Sequence, residues 1–192
     1  MRGGRNLKNL LLVKNVKNGD KEALLTLIME KKNEFYKLAY VYTENKEDAM
    51  DAMANMIVIL YQQISKLKND EVFYSWSKTI LINCCKNILK KRNKELLMDK
   101  IIENCHEECY EPYEKKLDIL TYLKRLNKYQ EEAIKLKYFA DMDYESIAKV
   151  SNVAVGTVKS RISTGLKKLK ECLGGEYRSE ERRVGKECSQ GV

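Results

Sequence analysis

Proline and glycine are scarce in this sequence. One proline, Pro112, occurs in 192 residues, and of the nine glycines few lie inside the body of the chain. Because proline breaks helices and glycine weakens them, their scarcity permits long helices.

No apolar run approaches the roughly 18 residues that a membrane-spanning helix requires, and the N-terminus lacks a long apolar segment followed by a small-residue cleavage site. We therefore expect a cytoplasmic protein without membrane insertion.

Motifs typical of enzymes and metalloproteins are also missing. The chain has no glycine-rich phosphate loop, no G-x-S-x-G motif and a single histidine, His106. Six irregularly spaced cysteines in an unexported chain favour reduced thiols over a disulfide framework. Cys105, His106 and Cys109 form one short cluster without the paired spacing of a zinc ribbon. We expect no catalytic activity, metal or cofactor, with metal binding and thiol redox sensing as the alternatives for the cysteines.

Apolar residues recur at three- and four-residue spacing along most of the chain, which predicts an all-α protein. The dipeptide Asn18-Gly19 followed by Asp20 is typical of a helix end and a new helix start. The expected helices cover Asn6–Asn18, Lys21–Thr43, Lys46–Leu67, Val72–Lys94 and Lys128–Phe139.

Charge divides the chain. The net charge is +8, which favours a polyanionic partner, but residues 99–118 hold seven acidic side chains against three basic ones. Two small helical domains joined by an acidic linker explain this change of sign. The linker either threads a basic channel of a partner or serves as a flexible tether. The expected organisation is a helical domain over 6–95, the linker over 96–114, a second helical domain over 115–173 and a disordered tail over 174–192.

The last fifteen residues, 178–192, have a distinct character. They follow Gly174 and Gly175, where the apolar helical period stops. Their first eleven residues look like the translation of a sequencing-library adapter, and a native disordered tail is the alternative. We expect no contribution of this segment to the fold.

A helix-turn-helix is predicted between Tyr144 and Leu173. Ile147 and the small Ala148 lie in a short first helix, and Asn152 tolerates the left-handed turn that follows. Residues 155–171 carry five basic side chains against one acidic side chain, opposite an apolar face. This pattern is typical of a second helix that enters the DNA major groove; a helical hairpin with a solvated basic face is the alternative. The apolar face comprises Val155, Val158, Ile162, Leu166, Leu169 and Leu173.

The second domain resembles a known family. The stretch Leu126 to Glu171, "LNKYQEEAIKLKYFADMDYESIAKVSNVAVGTVKSRISTGLKKLKE", is similar to the C-terminal domain of bacterial sigma factors of the extracytoplasmic-function type. In the N-terminal half, "LLVKNVKNGDKEALLTLI", "ENKEDAMDAM" and "YSWSKTILINCCKNILKKR" resemble the family's opening helix, acidic helix start and promoter-melting helix. The resemblance covers roughly Leu11 to Leu173 and implies a promoter-specificity subunit of RNA polymerase.

The resemblance implies three sets of site residues and three partners: core RNA polymerase, promoter DNA and, as the family commonly has one, an anti-sigma factor. The −35 element would be contacted by Thr157, Lys159, Ser160, Arg161, Thr164 and Lys167. The −10 element would be contacted by Tyr74, Trp76, Asn83, Lys86, Asn87, Lys90 and Lys91. Core polymerase would be bound through Asp48, Asp51, Ala54, Asn55 and Val58.

Several departures from the family pattern leave a second hypothesis open. Ala54 and Asn55 replace the usual Gln and Glu on the helix expected to grip the polymerase, and Asn87 and Lys90 replace the usual Asp and Arg. The alternative is a helix-turn-helix regulator that binds DNA without serving as a polymerase subunit. Trp76 also has an alternative role as a core aromatic residue.

Overall fold

The computed structural model describes the backbone of residues 2–99 and 119–187 and the side chains of residues 7–94 and 119–172. Within these ranges the secondary structure is helical and no strand occurs. The chain divides into two compact units, Met1–Cys109 and Tyr110–Val192. The helices are α1 (Arg2–Lys17), α2 (Lys21–Glu30), α3 (Lys32–Thr43), α4 (Lys46–Gln63), α5 (Phe73–Asp99), α6 (Ile119–Leu123), α7 (Lys128–Ile134), α8 (Tyr144–Ser151) and α9 (Val155–Glu187).

In the first unit, short polar side chains fix the helix starts. The Asp20 carboxylate accepts a hydrogen bond from the Ala23 amide at 3.0 Å and begins α2. Asn45 accepts one from the Asp48 amide at 2.9 Å and begins α4. Each cap satisfies an amide that the helix itself leaves without a partner. The core between α2, α3, α4 and α5 is formed by Leu27, Phe35, Leu38, Met56, Leu60, Leu81 and Ile82.

The helix predicted over Lys21–Thr43 is two helices. Lys31 leaves the helical region, with φ −116° and ψ 14°, and its amide donates to the Ile28 carbonyl at 3.1 Å. The break spans one residue and leaves the apolar period of the flanking helices in phase, so periodicity gives no sign of it. The helix predicted over Lys46–Leu67 ends earlier, at Gln63, and continues as a 3₁₀ turn over Ile64–Lys66.

In the second unit, α7 begins at Asn127, whose side chain accepts a hydrogen bond from the Gln130 amide at 2.9 Å. The predicted helix Lys128–Phe139 changes character after Ile134, because Lys135–Phe139 forms a π-helical turn. The Lys135 carbonyl there accepts from the Ala140 amide at 3.1 Å, five residues on. The core comprises Leu123, Leu126, Ile134, Leu136, Ile147, Val158, Ile162 and Leu169.

Helix α9 differs from its sequence prediction at two points. Leu166, expected on the apolar face, is 39% exposed, and the neighbouring Gly165 takes the buried position. The backbone also stays helical to Glu187, past Gly174, where a disordered tail was predicted. Two glycines disfavour a helix by about 1 kcal/mol each, but the following segment contains no proline and several glutamates and arginines, which are good helix formers.

The linker predicted over 96–114 lies outside the described residues from 100 onward, as does the Cys105–His106–Cys109 cluster. Among the residues that are described, no helix is both long and apolar enough to cross a membrane.

Candidate nucleic-acid interface

Helix α8 and its exit turn set the direction of α9. The Asp143 carboxylate accepts a hydrogen bond from the Ser146 amide at 2.7 Å, and this bond lowers the pKa of the carboxyl group. At the other end, Asn152 adopts the left-handed conformation (φ 50°), and the Val153 amide donates to the Ala148 carbonyl at 3.0 Å. Asparagine tolerates this conformation better than most residues, so the turn predicted at this position is formed.

Helix α9 begins without a side-chain cap. The Ala154 carbonyl accepts from the Thr157 amide at 3.0 Å and from the Val158 amide at 3.2 Å. Val158 and Ile162 then anchor the helix on the core, each less than 5% exposed. These two buried residues hold the first turns of α9 against the core. Of the predicted −35 residues on its outer face, Thr157, Lys159, Ser160, Thr164 and Lys167 are exposed and Arg161 is half-buried.

A shallow groove runs between α9 and the start of α7. Its volume is about 430 Å³, and the Arg161 guanidinium lies 4.7 Å from the centroid of the Tyr129 ring. We call it the α7–α9 groove. Four of the six predicted −35 residues line it, whereas Lys159 and Lys167 do not. Its lining is Asn127, Tyr129, Gln130, Gly156, Thr157, Ser160, Arg161 and Thr164.

Lys159 belongs to a second cluster beside the groove. Its ammonium group lies 5.6 Å from the centroid of the Tyr144 ring, and the Lys137 ammonium lies 4.8 Å from the same ring. Cations are attracted to the electron-rich face of an aromatic ring, so one ring holds two positive charges at the surface. The sequence prediction omitted Lys137, Tyr144 and Tyr129, because their contacts join different elements and helical spacing gives no signal of them.

In the first unit, the predicted −10 residues lie along α5. The Tyr74 hydroxyl donates to a Glu30 carboxylate oxygen at 3.1 Å, and burial, followed by the negative charge of Glu30, raises the pKa of Tyr74. Tyr74 is thus attached to α2 by its polar end. Trp76 and Lys86 are half-buried. The exposed members of the set are Asn83, Asn87, Lys90 and Lys91.

The predicted polymerase-binding residues lie on α4. Asp51, Ala54, Asn55 and Val58 are exposed, whereas Asp48 is half-buried and its carboxylate lies 3.2 Å from the Arg92 guanidinium of α5. A surface ion pair of this kind contributes only about 0–1 kcal/mol to stability.

A groove between α4 and α5, with a volume of about 320 Å³, brings two of the predicted sets together. Asn55 and Val58 of the polymerase set meet Asn87 and Lys91 of the −10 set. Helical spacing does not predict this proximity, because the two sets lie about 30 residues apart. We call it the α4–α5 groove; its lining is completed by Ile59, Cys84 and Ile88.

The described residues contain no group of three or more His, Cys, Asp or Glu side chains that could hold a metal ion. Cys84 and Cys85 are buried, and burial raises the pKa of both thiols, that of Cys85 to about 12. A protonated, buried thiol is a poor nucleophile, so these two cysteines act as small apolar core residues.

Both units match known family descriptions. Residues 27–95 match "Sigma-70 region 2" and residues 116–169 match "Sigma-70, region 4", which together cover more than half of the chain. RNA polymerase sigma factor SigV of Bacillus subtilis is 29% identical over 154 residues, 80% of this chain and 93% of that protein. ECF RNA polymerase sigma factor SigW of the same organism is 25% identical over 178 residues, 84% of this chain and 94% of that protein.

A solved structure shares the fold. It is the sigma factor RpoE in complex with the anti-sigma factor NepR from Bartonella quintana, with a TM-score of 0.61 and 22% identity. The match covers 78% of this chain and 95% of that one.

Proposed function

Because the chain belongs to the sigma-70 family of RNA polymerase sigma factors, of the extracytoplasmic-function type, we propose that its two helical units divide promoter recognition between them. The observation that carries the proposal is the order of the two matched regions, region 2 followed by region 4, in one chain. A regulator that only binds DNA needs the helix-turn-helix alone. The chain is a promoter-recognising sigma factor for RNA polymerase.

The helix-turn-helix unit is proposed to recognise the −35 element. Helix α9 presents an exposed basic and hydroxyl face, and the major groove, about 12 Å wide, accommodates one helix. Lys159 and Arg161 carry charge toward bases or phosphates, and Thr157, Ser160 and Thr164 supply neutral hydrogen bonds. The two clusters with Tyr129 and Tyr144 support this assignment, since they hold basic side chains at the surface on both flanks of α9.

The first unit is proposed to engage the −10 element and the polymerase. The exposed Asn83, Asn87, Lys90 and Lys91 on α5 suit contacts with DNA strands during opening. On α4, Val58 is 54% exposed and Met50 is 52% exposed, which gives an apolar patch next to polar residues. Such a patch is typical of a protein-binding surface. Residues of both predicted sets line the α4–α5 groove, and this supports the proposal that polymerase binding and −10 recognition are coupled.

A sequestering partner is part of the proposal. The similar sigma factor from Bartonella quintana was solved in complex with an anti-sigma factor. We propose that a protein of that kind covers the exposed α4 surface of this chain and competes with the polymerase in the cytoplasm. The chain is proposed to carry no catalytic activity of its own; it directs the polymerase to a promoter.

Binding to core RNA polymerase tests the proposal. Replacing a whole stretch of α4 would destroy the core, because Ala49, Ala52, Met56 and Leu60 are buried. Val58→Glu changes only the exposed surface, and we expect at least about a tenfold loss of affinity, as for a central interface residue. Met29→Glu, at a residue 61% exposed on α2, is the matched control and should bind like the unmodified chain.

The outcome separates the two functions. Saturable co-migration with core polymerase that Val58→Glu weakens and Met29→Glu preserves supports the sigma proposal. If the unmodified chain does not bind core polymerase but does bind DNA sequence-specifically, a free-standing helix-turn-helix regulator replaces it.

A further inference from the structure

The α7–α9 groove has the chemistry of an anion site. None of its eight lining residues carries a carboxylate, and Arg161 contributes a guanidinium group. Thr157, Ser160 and Thr164 contribute three hydroxyl groups along one side of α9. Guanidinium and hydroxyl groups are among the side-chain groups that bind phosphate oxygens of DNA.

The position of the groove in the fold indicates which part of DNA it receives. A helix with its side chains is about 10–12 Å wide, and α9 would therefore fill the major groove. The sugar–phosphate strands border the major groove, so one of them passes along the flank of α9 that faces α7. A phosphate, and not a base edge, is the group that this flank meets first.

Tyr129 forms the outer wall of the groove. It is the second residue of α7, 64% exposed, and its ring faces the Arg161 guanidinium at 4.7 Å. Helix α7, which carries Tyr129, packs closely on α9 at Gly165, where an added Cβ would lie 2.7 Å from Cδ1 of Ile134. A long arginine side chain loses substantial conformational entropy when it is ordered. Because the Tyr129 ring already orders the arginine side chain, less conformational entropy is lost when the phosphate binds.

We propose that the α7–α9 groove is a cradle for one backbone phosphate of −35 DNA and that Tyr129 is the positioning residue that holds Arg161 in it. The inference rests on the proposed function, since it requires α9 to lie in the major groove. It adds a residue outside the helix-turn-helix to the DNA interface.

The test uses the full chain bound to core polymerase. Its probes are a duplex that this complex selects from a random-sequence pool and a scrambled duplex of equal composition. Tyr129→Ala should weaken binding to both duplexes alike, by about two- to fivefold. Tyr129→Phe keeps the ring and should stay within about twofold of the unmodified chain. Tyr138→Ala, which removes another exposed tyrosine of the same unit, is the matched control.

Two further readouts separate positioning from a merely structural role. Arg161→Ala should lower the slope of log affinity against log salt by about 1, the amount for one phosphate contact. On that background Tyr129→Ala should have no further effect. Thermal unfolding of Tyr129→Ala should match that of the unmodified chain, because the ring is exposed.

Three results would overturn the inference. The first is an unchanged duplex affinity of the Tyr129→Ala variant, and the second is an equal loss of affinity from Tyr129→Ala with and without Arg161. The third is a loss of affinity for the selected duplex alone. The last would assign the groove to base recognition. Failure of the unmodified complex to select any duplex would instead refute the proposed function itself.

Discussion

At the scale of single residues, Gly165 shows how a position that weakens a helix can be required by packing. Glycine inside a helix costs about 1 kcal/mol relative to alanine. Here a Cβ would lie 2.7 Å from Ile134 Cδ1 and 3.4 Å from Gln130 Cβ, so glycine permits the close approach of α7 and α9. The neighbouring Leu166 is therefore turned outward to 39% exposure.

We predict that Gly165→Ala and Ile134→Val are coupled. On the unmodified background, the helix-propensity gain of Gly165→Ala is offset by the displacement of the Ile134 side chain. Ile134→Val removes the Cδ1 atom, and Gly165→Ala should then stabilise by up to about 1 kcal/mol. The free energy of unfolding of the two single variants and the double variant measures the coupling, expected at about 0.5 kcal/mol or more. Strict additivity would contradict the packing explanation.

At the scale of helices and turns, the short α8 depends on its ends. Its eight residues are too few to be stable alone, and Asp143 and Asn152 terminate it with a cap and a left-handed turn. The hydrogen bond from Ser146 lowers the pKa of Asp143. The carboxylate therefore stabilises the folded unit at pH values above the ordinary carboxyl pKa of about 4, and this contribution is lost as the pH falls through the lowered pKa.

Asp143→Asn tests this pH dependence. Asparagine caps helices as well as aspartate does, so stability near pH 7 should remain close to that of the unmodified chain. Below about pH 4 the decline in stability should be shallower than in the unmodified chain, because one titrating group is gone. Unfolding midpoints between pH 7 and pH 2.5 give the comparison. The control is Asp141→Asn, which removes an exposed carboxylate just outside α8. If the decline in stability at low pH became equally shallow in that variant, the role of Asp143 would be refuted.

Sequence patterns predict the helices better than their irregularities. The caps at Asp20 and the turn at Asn152 were foreseeable, because those residue types have strong local preferences. The break at Lys31 and the π-helical turn at Lys135–Phe139 were not, because the apolar period continues through both. The extension of α9 was also missed, since two glycines predicted an end that the residues after them do not support.

In the candidate site, too, some features follow from the sequence pattern and others depend on the fold. The outer face of α9 follows from helical spacing, and its predicted polar residues are exposed or half-buried. The contacts of Arg161 with Tyr129 and of Asp48 with Arg92 join residues 32 and 44 positions apart, respectively. Only the folded chain brings such pairs together. Helical spacing likewise did not predict the contact of Tyr74, because its hydroxyl group donates a hydrogen bond to Glu30 on another helix.

At the scale of the whole molecule, one chain joins two helical units that present different surfaces. The helix-turn-helix has an exposed basic face, which we propose contacts one promoter element. The first unit places polar residues of α5 beside an exposed apolar surface of α4. Holding both units in one chain makes the second contact effectively intramolecular once the first has formed. The polymerase thereby receives two promoter contacts from one exchangeable subunit.

The most direct test of the central claim is selection of promoter sequences from a random duplex pool by core polymerase with and without this chain. We predict that the chain is required and that the enriched sequences contain two separate motifs at a fixed spacing, one for each unit. Replacing the α9 residue Lys159 with alanine should weaken the upstream motif and preserve the downstream one. Enrichment of a single motif, or equal enrichment by the chain without polymerase, would contradict the claim that it recognises promoters as a polymerase subunit.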